Sequence, residues 1–221
     1  MSFDQATVNM IMVGIWETIY MVFVSSAISY LLGIPLGIIL VVTDKKGIHP
    51  IPVLNAVLGI IINLLRSVPF LILLVAVLPF TRMVVGTTLG ARAVIVPLVI
   101  AAAPYVARMV ESSLKEVDAG VIEAAKSMGA DTLQIVWKVL LPESRPSLLI
   151  GAAISITTIL GYSAMAGFVG GGGLGTIAIN YGYYRYQTDM MLITVAILVI
   201  IVQIIQEAGM RMSKAGDRRI R

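Results

Sequence analysis

The chain has 221 residues, 58% of them hydrophobic and 13% charged, with a net charge of +4 and a mean hydropathy of +0.97. Soluble domains run at roughly 45–50% apolar and about 25% charged residues, so most of this chain is solvated by lipid and a second soluble domain is excluded. With no cysteine and one histidine, His49, disulfides, a cysteine nucleophile and a thiolate or histidine-cluster metal site are excluded as well. The positive charge, carried mostly by loops and tail, reports topology and anionic-lipid contact, not nucleic acid.

At about 20 residues per crossing, the apolar runs amount to about five helices, so the expected class is an all-α polytopic membrane protein. The opening MSFDQATVN lacks the positive region of a cleaved signal peptide. Span one lies within Ile11–Val42, longer than one perpendicular crossing. Glu17 places its early part at the interface or against protein, and Gly33, Pro35 and Gly37 permit a bend and close helix approach. Asp44-Lys45-Lys46-Gly47 breaks the run, and span two falls in Val53–Phe80.

Span two contains Asn63-Leu64-Leu65-Arg66-Ser67-Val68-Pro69-Phe70. A charge at mid-depth costs roughly 2.5–3.5 kcal/mol on insertion scales, so Arg66 should face protein or a water-filled path. Two readings stay open for it: a translocation-path or gate residue, or a structural Arg paired with an acid such as Glu111 or Glu17 or bonded to carbonyls. If the helix continues through Pro69, the carbonyl of Leu65 loses its donor, and Ser67 or Arg66 is near enough in sequence to satisfy it. A linker with Arg82, Gly86, Gly90 and Arg92 follows. Span three is about Ala93–Leu114, with Pro97 and Pro104 inside it. Arg108 and Glu111 lie three apart on one helix face and can pair.

The next segment, Glu116–Arg145, carries Glu116, Asp118, Glu123, Lys126, Asp131, Lys138, Glu143 and Arg145, and so must sit in water. It also reads as folded. Asp118 can cap a helix over Ala119–Met128. Gly129 is placed as its C′ stop. Asp131 and Gln134 have capping-box spacing for a second helix, which Pro142 bounds. The apolar residues Val121, Ile122, Ala125, Met128, Leu133, Val136, Trp137 and Leu140 are too many for a solvated loop and need somewhere to dock.

Span four, about Leu148–Ala166, closes with Gly161-Tyr162-Ser163-Ala164-Met165-Ala166-Gly167. Small residues here allow close helix contact. Tyr162, Ser163 and Met165 offer a pore a mixed polar and thioether lining, with ordinary packing the alternative for Met165. The glycines of Gly167–Gly175 lack the Gly-Lys-Ser/Thr ending of a phosphate loop, so no ATP chemistry attaches to them. They form either a tight turn or gate, or a flexible loop. Tyr181, Tyr183, Tyr184 and Tyr186 form an interfacial aromatic belt or a docking surface for a binding protein. Span five is about Met190–Ala208, and Met210–Arg221 is a basic tail.

Lys45 and Lys46, then Lys115, Lys126, Lys138 and Arg145, then Arg211, Lys214, Arg218, Arg219 and Arg221 make eleven of the sixteen Lys and Arg residues. They follow spans one, three and five, so they share one side. The positive-inside rule makes that side cytoplasmic, with the N-terminus outside and the C-terminus inside.

Glu123-Ala124-Ala125, three residues, Gly129, nine residues and Val139-Leu140-Leu141-Pro142 resemble the EAA signature of ABC importer permeases. Val139 stands where that family usually has Ile. The resemblance implies a coupling helix that inserts into a groove on an ATP-binding subunit, with Glu123, Ala124, Ala125, Gly129, Leu141 and Pro142 as coupling residues. An amphipathic helix on lipid headgroups is the plainer reading, and it gives no reason for this Gly and Pro spacing. GYSAMAG, NLLRSVPF and AAPYVARMVE together resemble, more specifically, the methionine ABC transporter permeases, over nearly the whole chain from Trp16-Glu17-Thr18 to span five.

That resemblance implies a type I ABC importer permease fold, one transmembrane permease domain over residues 1–221, and five spans in the bacterial cytoplasmic (inner) membrane. It also implies a homodimer with a pore at its interface, two copies of an ABC ATP-binding subunit that hold the ATP and Mg, and an extracytoplasmic methionine-binding lipoprotein. This chain itself binds no cofactor in that scheme. The expected path or gate residues are Asn63, Arg66, Ser67, Pro69, Tyr162, Ser163 and Met165, serving alternating-access import of L- or D-methionine. A permease for another amino acid and a simple channel are the rivals within transport. An intramembrane enzyme would need a catalytic set, and the spans offer no evident Ser–His pair, HExxH or paired aspartates.

Overall fold

The computed structural model describes residues 4–216, all of whose regular structure is helical. Arg218, Arg219 and Arg221 of the basic tail lie outside the described residues. The chain opens with α1, Gln5–Val42, a 38-residue helix that runs through Pro35. Its length, about 57 Å at 1.5 Å per residue, exceeds the ~30 Å hydrocarbon layer. Past its end, the Asn55 amide donates to the Leu40 carbonyl at 2.7 Å and to Thr43 Oγ1 at 3.2 Å, satisfying one of the orphan carbonyls of the last turn.

The single span expected over Val53–Phe80 is broken. Helix α2 (Pro52–Ser67) stops, and α3 (Phe70–Ala76) starts afresh, with Pro69 in extended geometry at its N-cap. Val68 precedes a proline and is pushed out of the helical region, and Pro69 has no N–H to offer the preceding turn. The helix therefore does not continue through Pro69. α4 (Leu78–Val85) contains Arg82, and the linker begins only at Gly86, whose φ of 82° ends that helix.

The remainder follows in chain order. α5 (Ala91–Lys115) is unbroken despite its two prolines. α6 (Ala119–Ser127) and α7 (Thr132–Ile135) come next. A π turn at Val136–Leu140 leads into the short α8, Leu141–Glu143. α9 (Arg145–Met165), a 3₁₀ turn and α10 (Gly173–Ile177) are succeeded by a π turn and α11 (Thr188–Gly216). Among the described residues, four helices are long and apolar enough to cross a membrane: Gln5–Val42, Ala91–Lys115, Arg145–Val169 and Thr188–Lys214. Pro52–Ser67 and Phe70–Ala76 make a fifth candidate when the bent pair is counted as one.

Contacts divide the chain into two units, Met1–Ile28, Val68–Ala102 and Ile156–Ile205 in one, and Ser29–Ser67, Ala103–Ser155 and Gln206–Arg221 in the other. The first has a core of Met21, Val22, Phe70, Leu74, Val94, Leu98, Ile159 and Leu160. Within it the glycine segment is a packed joint. Gly172 and Gly173 have φ of 78° and 70°, where glycine alone carries no steric cost. A Cβ on Gly167 would meet the Gly175 backbone, and one on Gly175 would meet the Ala164 backbone. Glu17 accepts from the Gly173 N–H at 2.6 Å, and Thr18 Oγ1 accepts from the Leu174 N–H at 2.9 Å. Glu17 thus faces protein, satisfying backbone donors at the start of α10.

The second unit is centred on Val41, Val106, Val110, Leu114, Ala125, Ile135, Val136 and Leu140. Gly33 and Gly37 make its helix contact close. A Cβ on Gly33 would come within 2.6 Å of Val106, and one on Gly37 within 2.7 Å of Ala107 and Val110. Small residues that let backbones approach are the usual device where lipid supplies no hydrophobic drive between helices.

Candidate coupling site and translocation path

The segment Glu116–Arg145 owes its shape to local polar contacts. Asp118 caps α6, its carboxylate accepting from the Gly120 N–H at 2.7 Å. Gly129 follows α6 with φ of 81° and takes the left-handed stop. Asp131 and Gln134 form a complete capping box, at 2.7 Å and 3.2 Å. The second helix does not stay regular up to Pro142. It loosens into the π turn, because Pro142 has no N–H to return to the Lys138 carbonyl.

These helices are two-sided. Ala125, Ile135, Val136 and Leu140 are buried in the unit's core. Val121, Met128, Leu133 and Trp137 face outward, Met128 at 80%, Leu133 at 70% and Trp137 at 67% exposure. Glu123, Ala124, Gly129 and Pro142 are exposed among them, while Leu141 is half-buried. About half of the apolar residues that needed somewhere to dock therefore dock in this chain, and the other half stand uncovered.

A polar ladder lies in the same unit. Arg108 donates to Glu111 at 2.6 Å, to the Gly59 carbonyl at 3.1 Å and to Asn63 Oδ1 at 2.9 Å. Glu111 also accepts from Lys115 at 2.9 Å, and Lys115 donates to Asp44 at 2.9 Å. The Lys115 ammonium, and next the Lys46 N–H, hold the Asp44 carboxyl below its usual range. The ladder ties α2, α5 and the loop after α1 together. It also engages Glu111, one of the two acids considered as a partner for Arg66; the other, Glu17, is taken up by Gly173. Arg66 instead lies over the ring of Tyr105, 6.0 Å from its centroid, on an exposed stretch with Asn63 and Ser67. Ser67 Oγ donates to the Asn63 carbonyl at 2.7 Å.

In the other unit, Tyr162 stacks flat on Phe70, with ring centroids 4.4 Å apart and planes 7° apart, one residue beyond Pro69. Met165 is exposed, and nothing lies within 4 Å of where a Cβ on Gly161 would sit. Ser163 is 1% exposed and donates to the Leu160 carbonyl at 2.7 Å. Ser163 is thus packed inside this chain, while Met165 and Gly161 lie on an open face. Among the described residues no group of three or more His, Asp or Glu side chains is placed to hold a metal ion.

The chain has counterparts among known proteins. Residues 33–221 match the family described as binding-protein-dependent transport system inner membrane component. The chain belongs to this family. It is therefore a permease, the non-catalytic part of an ABC transporter, and a multi-pass protein of the inner membrane. Among its relatives, the probable D-methionine transport system permease protein MetI of Vibrio cholerae is 50% identical over 211 residues, covering 96% of this chain and 94% of that one. The D-methionine transport system permease protein MetI of Escherichia coli K12 is 49% identical over 154 residues, 70% and 71% of the two chains. A solved structure of the MetNI methionine ABC transporter in an inward-facing conformation superposes with a TM-score of 0.96 at 46% identity, covering 98% of this chain and all of that one.

For this permease, sequence reasoning found the caps and the Gly129 stop, because they depend on neighbours within four residues. It missed the Asp44–Lys115 contact, which joins positions 71 apart, and the Glu17 and Thr18 contacts, which span 156. Glu17, a charged residue in an otherwise apolar run, was the one signal for the second pair of contacts, and the polar loop around Asp44 held none for the first.

Proposed function

We propose that this permease is the membrane subunit of an ATP-driven methionine importer, working as one transmembrane domain. It pairs with a second copy of itself. Two ATP-binding subunits, which carry the ATP and Mg, attach on the cytoplasmic side, and an extracytoplasmic methionine-binding lipoprotein delivers substrate from the other. The bent pair α2–α3 counts as one crossing, which gives five spans with the N-terminus outside and the C-terminus inside. The positive-inside distribution of Lys and Arg supports that orientation.

The observation that carries the coupling part is the exposed apolar set Val121, Met128, Leu133 and Trp137 on a doubly capped segment. A groove on the ATP-binding subunit would bury it, with Glu123 bonding at the rim and Gly129 holding the angle between α6 and α7. Closure of the ATPase pair then moves this segment as a lever and shifts the permease between inward-open and outward-open states. Ala125 and Leu140 anchor the lever in the core, and Pro142 joins it to α9.

Asn63, Arg66 and Ser67 serve as path or gate residues because they are polar and exposed inside a span. The break at Pro69 and the stacked Tyr162 shape the path, and Met165 offers it a thioether. Ser163 acts from behind, holding the end of α9 through its backbone contact.

The experiment is ATPase activity of the complete transporter in lipid nanodiscs with its binding protein, comparing D- and L-methionine with a panel of amino acids. Stimulation by methionine-loaded binding protein alone supports the reading. Stimulation by another amino acid keeps the importer and discards the substrate.

A further inference from the structure

We propose that the groove between the loop after α1 and helix α6 is a binding site for an anionic phospholipid headgroup. It holds about 350 Å³ and has two kinds of lining. One wall is apolar, made by Val41, Ile48, Leu114 and Ile122. The other is cationic, with Lys46, Lys115 and Lys126 against the single carboxylate of Asp44.

Asp44 and Glu111 both engage Lys115. The surplus positive charge is therefore that of Lys46 and Lys126, both exposed. They come from different elements and reach the same groove. Val41 and Leu114 lie one residue from the ends of α1 and α5, two membrane-crossing helices. The groove thus lies where the apolar runs of α1 and α5 give way to polar chain, as a headgroup site requires, with its apolar wall on the helix ends and its ammonium groups on the polar loop and α6. A phosphodiester on a glycerol backbone matches both halves. A free phosphate would leave the apolar wall exposed, and a zwitterionic headgroup would bring its own cation against two lysines.

On α6 the groove takes Ala119, Ile122 and Lys126, a stripe separate from the outward-facing Val121 and Met128. Lipid and ATPase subunit can therefore occupy the segment together, and the lipid brackets one side of the lever. Assignment to the cytoplasmic leaflet rests on the orientation proposed above.

Native mass spectrometry of the complete transporter in mild detergent, titrated with phosphatidylglycerol, phosphatidylcholine or inorganic phosphate, tests the site. One retained phosphatidylglycerol per copy of this chain is expected. Lys46→Gln should lower its retention about fivefold, roughly the worth of one lysine beside an anionic surface, and Lys46→Glu should lower it further. Equal retention of phosphatidylcholine, displacement of the lipid by millimolar inorganic phosphate, or unchanged retention in both variants would overturn the proposal. Labelling of Lys46→Cys from one side of sealed vesicles reads the orientation by itself. Reaction only from outside contradicts the leaflet, whereas reaction from inside without lipid selectivity contradicts the site alone.

Discussion

The coupling segment Glu116–Arg145 and the glycine segment Gly167–Gly175 both interrupt long apolar helices, yet they solve the same problem in opposite ways. Orphan backbone donors need partners in each. The coupling segment finds them in its own side chains, Asp118, Asp131 and Gln134. That leaves its outer surface free to display Met128, Leu133 and Trp137. The glycine segment has no polar side chain. It borrows Glu17 and Thr18 from α1 and packs backbone on backbone. The first arrangement caps its own helices while docking one face in the core, and the second makes a joint that holds only while its neighbours hold.

Substitutions break this contrast in graded ways. Gly175→Ala should have the largest effect, about 3 kcal/mol, the upper end for overpacking, because the new methyl meets the Ala164 backbone. Thermal melting of the purified chain would read it. Glu17→Ala should cost about 2 kcal/mol by leaving the Gly173 donor without its acceptor, while Glu17→Gln, which keeps an oxygen, should cost less; the same melting curves compare the two.

In the coupling segment the effects on folding are smaller. A Cβ at Gly129 meets nothing within 4 Å, so Gly129→Asp carries mainly the backbone cost of φ 81°, about 1–2 kcal/mol. Transport should nonetheless fall at least tenfold while the melting curve moves little. Uptake by proteoliposomes beside the melting curve separates the two, and full transport would sink the lever. The smallest effect belongs to Asp44→Asn, at most about 1 kcal/mol for a partly exposed ion pair. The folded Asp44 carboxyl lies below its ordinary value. Its contribution is therefore present above that ordinary value and is lost as pH falls through the lower folded one. The difference between wild type and Asp44→Asn should follow that course in a melting series across acid pH.

The contrast also explains what could be read in advance. Asp118, Gly129 and the Asp131–Gln134 box act over four residues or fewer, so the two short helices and their stop were legible from sequence. Which apolar residues of that segment turn inward was not, because Ala125 and Leu140 are chosen by Val110 and Leu114 on another helix. The break at Val68–Pro69 had a local signal in the proline, but continuous hydrophobicity on both sides outweighed it in the reading of one long span. Among the candidate path residues, Arg66 and Met165 are exposed as a pore lining requires, whereas Ser163 is not. A serine beside an exposed methionine carries no sequence mark of which way it points.

The central claim is that the uncovered apolar surface of Glu116–Arg145 is where the ATP-binding subunit docks. Co-purification of that subunit with the permease, comparing wild type with Met128→Asp and Leu133→Asp, tests it most directly. Both residues are exposed, so their replacement should leave the membrane helices folded, with unchanged melting of the permease. The account predicts at least a tenfold loss of retained ATP-binding subunit in each variant. Undiminished retention in both would contradict it.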